Sequence, residues 1–208
     1  GWFGAAGGHA AGLRFEGERL VLEGATAAEF EGFWRDYLDL DRDYAAVRAA
    51  FARDPRLAPC VAFAPGIRVL RQPAFEALIA FIVSQNNNVP RIKGILARLC
   101  ALFGEPLPGG ARAFPAPERL AACSKEELAP LRSGWRAGYI LDAAWQVAAG
   151  TVDLQAVAVM PLADARRELT RIRGVGPKVA ECVLLYGMGR LECFPMDVWM
   201  KRAMARLF

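Results

Sequence analysis

From Thr26 to the end of the chain, one helical pattern follows another, and no strand pattern separates them. Consecutive helices without a sheet between them must cover their apolar stripes against each other. This region opens with a capping box, Thr26-Ala-Ala-Glu29, which is typical of a helix start. An apolar stripe with the i, i+3, i+4, i+7 spacing of a helix begins at Phe30. We therefore predict an all-α main domain over residues 26–208.

Further helices are predicted from prolines, polar caps and apolar periodicity. They cover about residues 41–51, 74–85, 91–103, 117–123, 125–132, 137–149 and 161–171. Residues 104–118 hold four prolines and three glycines, so they are predicted to form a loop.

The start of the chain has a different pattern. Residues 1–9 are predicted to form a loop. Leu13-Arg-Phe-Glu16 alternates apolar and polar residues, Leu20-Val-Leu22 is a second short apolar run, and Gly17 lies between them. Two such runs around a glycine are typical of a β-hairpin. We therefore expect a small antiparallel β element before the helices.

Composition limits the possible chemistry. Hydrophobic residues make up 54% of the 208 residues, which indicates a globular chain. No apolar run approaches the ~18 residues of a membrane span, so no membrane partner is expected. The five cysteines form no C-x-x-C pair, and their odd number favours reduced thiols in an intracellular protein. His9 is the single histidine, which excludes most histidine-based catalysis.

The positive charge is concentrated near the end of the chain. Residues 164–208 hold nine Lys/Arg and five Asp/Glu, and 9 − 5 equals the whole net charge of +4. A basic segment indicates a polyanionic partner. On charge alone, a solvated helix face is the better explanation.

The most informative segment is Leu169–Cys182, in which Gly174 and Gly176 separate two helical stretches. This is the pattern of a helix-hairpin-helix, which we place at about residues 161–187. Glycines allow a tight turn and a close approach of the backbone to a phosphate. The free N–H groups of the second helix can bind a phosphate oxygen, and Pro177 suits its first turn. The turn alone fits an ordinary packing corner equally well.

Lys178 and Asp197 are the candidate catalytic residues. Lys178 lies at the positive end of the second helix, where a cation is unfavourable and a neutral, nucleophilic amine is favoured. The chain has only four lysines against twenty-two arginines. Since an arginine would serve a plain phosphate contact, a lysine at this position is informative. Asp197 follows Pro195 at the start of a basic helix, so it is also a candidate N-cap.

Several motifs together resemble the helix-hairpin-helix DNA glycosylases of the HhH-GPD superfamily. Gly-Val-Gly-Pro-Lys178 and Pro-Met-Asp197 match the catalytic motif, and Ser84-Gln-Asn-Asn-Asn-Val-Pro-Arg91 is similar to the 8-oxoguanine DNA glycosylase branch. So are Gly66-Ile-Arg-Val-Leu-Arg-Gln and Gly134-Trp-Arg-Ala-Gly-Tyr. The likeness runs from about Leu13 to Phe208. It implies the fold of that family, with residues 1–25 as the remnant of an N-terminal β domain.

The resemblance also implies an activity, which is excision of 8-oxoguanine from damaged double-stranded DNA followed by AP-lyase cleavage. Lys178 would attack C1′ of the nucleoside and form a Schiff base, while Asp197 would stabilise the cationic sugar or help to activate the amine. Cys182 would line the base pocket. The implied DNA contacts are Asn86, Asn87, Arg91, Trp135, Arg136, Gly174 and Gly176. Asn86 would fill the space left by the extruded base, Trp135 would wedge beside it, and the two arginines would bind the opposite base.

The resemblance implies no required cofactor and no iron–sulfur cluster. A structural Na⁺ or K⁺ would be held by the backbone carbonyls of Thr170, Ile172 and Val175. The protein is expected to act as a monomer, in the cytoplasm of a bacterium or otherwise inside a cell. Family members carry further strands before Gly1 and further helices after Phe208, so the fold is expected to be incomplete at both ends.

Two departures from the family pattern stand out. Trp135 occupies a position that is usually Tyr, and Trp199 one that is often His. An endonuclease-III-like glycosylase remains an alternative, although it normally has four clustered cysteines. Alkyladenine glycosylases generally lack the lysine. Further alternatives are a helix-hairpin-helix module that only binds DNA, and a plain helical interaction domain.

Overall fold

The computed structural model describes residues 1–208, and it opens with a three-stranded antiparallel sheet. The strands are β1 (Trp2–Ala6), β2 (His9–Glu16) and β3 (Arg19–Glu23), in the order β1-β2-β3. The hairpin predicted around Gly17 is confirmed, because Glu16 pairs with Arg19 and Gly17 has a φ of 61°.

The prediction of a loop over residues 1–9 is wrong. Trp2 pairs with Leu13 and Ala6 pairs with His9 across a turn at Gly7 and Gly8. Gly4, Ala5 and Ala6 lower the strand propensity of β1, so its sequence looks like a loop. Pairing with β2 stabilises the strand, and that partner is not visible in a local pattern.

The sheet packs on the first helical segment. This segment runs through α1 (Ala27–Glu29), a π-helical turn (Phe30–Trp34) and α2 (Arg35–Tyr37). The predicted capping box is confirmed: Thr26 Oγ1 accepts from the Glu29 N–H, and the Glu29 carboxylate accepts from the Thr26 N–H. Trp34 is buried with Ala6 and Ala11 in a small apolar cluster, which joins the sheet to the helices.

Ten further helices follow. They are α3 (Tyr44–Phe51), α4 (Ala58–Phe63), α5 (Ala74–Ser84), α6 (Val89–Phe103), α7 (Pro117–Ala121), α8 (Arg136–Ala148), α9 (Leu154–Val159), α10 (Leu162–Leu169), α11 (Pro177–Cys182) and α12 (Val198–Leu207). A π-helical turn, Val183–Gly187, continues α11. The prediction of a mainly α chain with a small N-terminal β element is confirmed.

Helix α5 is the centre of the main core. Its side chains Leu78, Ile79 and Ile82 are fully buried, and the helix contacts α6, α8 and α11. The nearly continuous apolar sequence of α5 reflects this, because a helix covered on several sides has no polar face. The loop that follows α5, residues 85–88, lies beside the start of α11.

Some predicted helix positions are wrong. Residues 125–132 form turns and a short 3₁₀ segment, Ala129–Leu131, instead of a helix. Helices α4 and α9 were not predicted. Asp43 is the N-cap of α3, so this helix begins at Tyr44 and not near residue 41. Short polar caps at adjacent positions give similar sequence signals, and the tertiary packing selects among them. None of the helices has the length and apolar character that crossing a membrane requires.

Candidate active site

Lys178 and Asp197 line one cavity between the hairpin, α12 and the loop after α5. The cavity has a volume of about 570 Å³ and includes Asn86, Asn87 and Trp199 in its wall. The Asp197 carboxylate accepts a hydrogen bond of 2.7 Å from the Met200 N–H, so its predicted position at the N-cap of α12 is confirmed. This bond fixes the carboxylate in place beside the cavity.

The Lys178 amine is in no ion pair of the structure. The salt bridges of the chain involve other residues, and Asp197 is in none of them. Lys178 Nζ instead lies 5.4 Å from the centre of the Phe81 ring. The amine is therefore not held in a salt bridge.

Lys178 and Asp197 also line a second, smaller cavity of about 250 Å³. Its other walls are mainly apolar: Phe81, Cys182, Leu185, Tyr186, Phe194, Pro195 and Met200. The lysine and the aspartate thus lie at the boundary between a polar cleft and an apolar pocket. This arrangement can hold a molecule that has an apolar ring on one side and polar groups on the other.

Cys182 is buried in the wall of the apolar pocket. Burial raises the pKa of the Cys182 thiol, and the nearby Lys178 charge only partly opposes this effect. The residue is therefore a neutral thiol near pH 7 and a poor nucleophile. The amine of Lys178 is the better candidate for covalent chemistry in this pocket.

Phe81 and Tyr186 were missed by the sequence reasoning. Their rings stack with centres 5.5 Å apart in the wall of the apolar pocket. Burial raises the pKa of the Tyr186 hydroxyl, which therefore stays protonated. A sequence signal for Tyr186 exists, because Lys178, Cys182 and Tyr186 are spaced by four and so share one helix face. Phe81 gives no such signal, since it looks like any core residue of α5.

The two hairpin glycines have different roles. Gly174 has a φ of 86°, and a Cβ there would lie 2.1 Å from the Tyr139 ring. Gly176 has an extended backbone with a φ of −89°. A Cβ at Gly176 would meet nothing within 4 Å. The idea that both glycines serve a tight turn is therefore wrong for Gly176. Its missing side chain leaves open space next to the start of α11.

The hairpin presents unbonded backbone groups. The N–H groups of Gly176, Lys178 and Val179 have no acceptor within the protein, and they surround the open space at Gly176. Among the carbonyls predicted to bind a cation, those of Thr170 and Val175 accept no hydrogen bond, and that of Ile172 accepts one of 3.0 Å from the Val175 N–H. Free lone pairs thus remain on all three oxygens.

The loop after α5 is shaped by its asparagines. Asn86 has a φ of 46°, a conformation that Asn tolerates better than most residues. Its side chain is exposed and makes no hydrogen bond in the protein. The Asn87 amide is bonded on both sides, to the Val83 carbonyl and the Asn88 N–H. Asn86 is therefore available to a ligand, whereas a DNA contact by Asn87 stays a prediction.

Arg136 is buried, with 2% of its surface exposed, and it binds this loop. Its guanidinium donates to the backbone carbonyls of Gln85 and Asn86, and to that of Ser133 at 3.3 Å. The Arg136 guanidinium also lies 4.3 Å from the ring of Trp135, which is 51% exposed. Arg91 is exposed beside the loop. The structure thus brings the predicted Asn86, Arg91, Trp135 and Arg136 together.

Glu181 connects the hairpin with the segment that carries Asp197. Its carboxylate accepts from Arg166 on α10 and, at 2.9 Å, from the N–H of Phe194. Burial tends to raise the pKa of Glu181, but these two donors outweigh it and the pKa is lowered. The carboxylate therefore stays charged and keeps the 194–197 segment against α11.

Comparison with known proteins agrees with this geometry. Residues 79–208 match the model of the HhH-GPD superfamily of base excision DNA repair proteins, and residues 2–78 match that of the 8-oxoguanine DNA glycosylase N-terminal domain. The chain therefore belongs to the HhH-GPD superfamily. Within it, the N-terminal match identifies the 8-oxoguanine DNA glycosylase branch, as the sequence motifs predicted.

Solved structures of relatives superimpose closely. MBOgg1, bound to a low-affinity DNA ligand, is 40% identical with a TM-score of 0.96, and the match covers 99% of this chain and 72% of that one. The 8-oxoguanine glycosylase/lyase of Clostridium acetobutylicum, bound to double-stranded DNA with cytosine opposite 8-oxoG, is 33% identical with a TM-score of 0.94 over the same shares.

Curated relatives are longer than this chain. The N-glycosylase/DNA lyase of Saccharomyces cerevisiae is 36% identical over 156 residues, which cover 68% of this chain and 42% of the yeast protein. The chain spans about half the length of the curated relatives it matches.

Proposed function

We propose that the protein excises 8-oxoguanine from double-stranded DNA and then cleaves the strand through a Schiff base on Lys178. The observation that supports this most is the position of the Lys178 amine. It lies in no ion pair, between an apolar pocket and a polar cleft, with the Asp197 carboxylate fixed beside it. The two parts of an extruded nucleotide match these two cavities, because its base has an apolar ring face and its sugar-phosphate is polar.

The chemistry follows from an amine in this position. The Lys178 nitrogen attacks C1′, the bond from C1′ to the base breaks, and the electron pair leaves with the base, which takes up a proton. Ring opening then gives an iminium ion between Nζ and C1′. Loss of a C2′ proton and departure of the 3′ phosphate cleave the strand. The attacking species is the neutral amine.

Asp197 stabilises the positive charge that develops on the sugar as the base leaves. Its carboxylate is already oriented by the Met200 N–H, so little reorganisation is needed during the reaction. Neutral Cys182 and the stacked rings of Phe81 and Tyr186 form the wall against which the base lies.

The hairpin holds the DNA backbone. The free N–H groups around Gly176 bind a phosphate oxygen, and the missing Cβ lets the phosphate approach. A monovalent cation fits beside them, because the carbonyls of Thr170, Ile172 and Val175 keep free lone pairs. When bound, the cation would offset the charge of the same phosphate.

The loop residues act on the duplex. Asn86 fills the space left by the extruded base, since its side chain is exposed and unbonded. Trp135 wedges beside it. Arg91 binds the base opposite the lesion, which we propose is cytosine, as in the DNA of the Clostridium complex. Arg136 holds the loop of residues 85–88 through the Gln85 and Asn86 carbonyls and so supports the contact with the opposite base. The protein acts as a monomer on this DNA.

The test is a cleavage assay with labelled duplexes. One set carries 8-oxoguanine opposite each of the four bases, and a second carries an oxidised pyrimidine or an alkylated adenine opposite its normal partner. We expect strand cleavage without added alkali, fastest with 8-oxoguanine opposite cytosine. Faster excision of the pyrimidine or the alkylated adenine would contradict the proposed substrate. No excision from any duplex would contradict a glycosylase function.

A further inference from the structure

A third cavity lies away from Lys178, at the start of α8. It has a volume of about 380 Å³ and is lined by Lys125, Leu128, Ala129, Arg132, Ser133, Gly134 and Ala137. We propose that this cavity binds a phosphate group. The proposal that this group belongs to the DNA backbone rests on the function proposed above.

The hydroxyl of Ser133 is the first reason. Ser133 is 1% exposed, and its Oγ is buried without any hydrogen-bond partner in the protein. A buried polar atom without a partner is unfavourable, and such groups usually bind a ligand, an ion or a water. Ser133 is one of the residues that line the cavity, and in this proposal its hydroxyl donates to the bound phosphate.

The backbone around Ser133 provides further donors. The N–H groups of Ser133, Gly134, Trp135 and Arg136 have no acceptor within the protein. The last of these belongs to the first turn of α8, a helix of 13 residues whose dipole favours an anion at this end.

The carbonyls of the same loop already accept hydrogen bonds from arginine side chains. Leu131 O accepts from Arg98 at 2.7 Å, Arg132 O from Arg91 at 3.4 Å, and Ser133 O from Arg136 at 3.3 Å. Each of these carbonyls therefore has a guanidinium as its donor. The loop is held in a conformation that leaves its N–H groups unbonded.

The charges at the cavity also favour an anion. Lys125 and Arg132 are exposed, and neither makes an ion pair or a side-chain hydrogen bond. No carboxylate lines the cavity. Two cations, several N–H groups and a hydroxyl form a donor set that suits a phosphate.

The position of the cavity points to a phosphate of DNA. Trp135 follows Gly134 directly and is the residue proposed to wedge into the duplex. Arg136, next in the chain, holds the Asn86 loop. A duplex opened at Trp135 would therefore bring a backbone phosphate near the start of α8. This contact would be separate from the hairpin contact at Gly176.

The first experiment follows the backbone amide signals of Ser133 and Gly134 by NMR. The protein is titrated with inorganic phosphate in one arm and with an undamaged duplex in the other. We expect both to shift these signals. A shift with inorganic phosphate alone would keep the phosphate site and contradict its assignment to DNA. No shift in either arm would overturn the proposal.

Variants give a second, independent readout. Ser133→Ala removes an unpaired hydroxyl, so the thermal stability should stay the same or increase, while affinity for the duplex should fall about tenfold. Lys125→Ala should make the plot of the log of the DNA association constant against the log of the salt concentration less steep. Its slope should decrease in magnitude by roughly 0.9, the value for one phosphate contact. Arg19→Ala, on the exposed strand β3, is the control for loss of one charge, and its salt slope should not change.

Affinities and slopes equal to those of the unmodified protein in both variants would also overturn the assignment to DNA. These measurements use undamaged DNA and need no catalysis. A protein that fails to excise 8-oxoguanine but shows these effects would contradict only the proposed function.

Discussion

The guanidinium of Arg136 donates a hydrogen bond of 2.9 Å to the backbone carbonyl of Asn86, fifty residues away in sequence. Arg136 is buried, and the exposed residue it holds has a left-handed backbone. One side chain therefore fixes both the loop of residues 85–88 and the first turn of α8. The two predicted DNA-contacting segments behave as one unit because of this bond.

Arg136 and Arg91 should therefore respond differently to truncation. Arg136→Ala leaves the carbonyls of Gln85 and Asn86 without their donor, at a cost of about 1–3 kcal/mol for each group that stays buried. Its melting temperature should fall, and excision should fall with all four opposite bases. Arg91→Ala should keep the melting temperature and lose about 1–3 kcal/mol of discrimination in favour of cytosine. Equal melting temperatures of the two variants would contradict the role of Arg136 as the support of the loop.

Asp197 combines a cap with a charge, and two variants separate them. In Asp197→Asn the side-chain oxygen can still accept from the Met200 N–H, so the melting temperature should hold. The charge is lost, and we expect single-turnover excision to fall at least ~100-fold. Asp197→Ala should lose about 1 kcal/mol of stability as well, because the cap is absent. Normal excision by Asp197→Asn would show that Asp197 is only a cap.

The two hairpin glycines form a matched pair. Gly174→Ala forces a φ of 86° on alanine and directs its Cβ at the Tyr139 ring, so it should destabilise the protein by about 1–3 kcal/mol from the backbone alone. Gly176→Ala meets no atom of the protein and should change stability by less than about 1 kcal/mol. Its affinity for the duplex should nevertheless fall, because the Cβ fills the space for the phosphate. Unchanged DNA affinity in Gly176→Ala would contradict the hairpin contact.

Glu76 makes the stability depend on pH. Burial raises the pKa of Glu76 to about 7, although the Gly7 N–H opposes this with a hydrogen bond of 2.8 Å. A raised pKa means that the folded protein holds the Glu76 proton more tightly than the unfolded chain does. The protonated side chain therefore contributes to the stability of the fold below the unfolded pKa of 4.5, and this contribution is lost as the pH rises through about 7.

We therefore expect Glu76→Gln to match the unmodified protein in melting temperature at low pH and to exceed it at pH 8. The difference should be up to about 3 kcal/mol, the equivalent of the pKa shift. Glu105→Gln, which changes an exposed carboxylate, is the control and should show no such pH dependence. Equal stability of the Glu76 variant and the unmodified protein across this pH range would contradict the prediction.

The parts of the site that depend on local sequence could be predicted. Lys178 follows a glycine turn and a proline, and Asp197 follows a proline before a helix, so both positions follow from short motifs. The hairpin β2–β3 and the cap at Thr26 were predictable for the same reason. Each of these features depends on residues a few positions apart.

The parts that depend on long-range contacts could not be predicted. Strand β1 is stabilised by its pairing with β2, and three of its residues, Gly4, Ala5 and Ala6, have low strand propensity. The bond from Glu181 to the Phe194 N–H and the stacking of Phe81 on Tyr186 join segments that no local pattern connects. The unpaired hydroxyl of Ser133 is visible only once the loop before α8 is folded. Helix packing decided these contacts.

Borohydride trapping tests the central claim most directly, because it reports the covalent bond itself. The protein is incubated with a duplex that carries 8-oxoguanine opposite cytosine, and sodium borohydride reduces any Schiff base to a stable adduct. Lys201 lines the same cavity as Lys178, so Lys201→Gln is the matched control. We predict an adduct with the unmodified protein and with Lys201→Gln, and none with Lys178→Gln. An adduct that persists in Lys178→Gln, or none with the unmodified protein, would contradict Lys178 as the nucleophile.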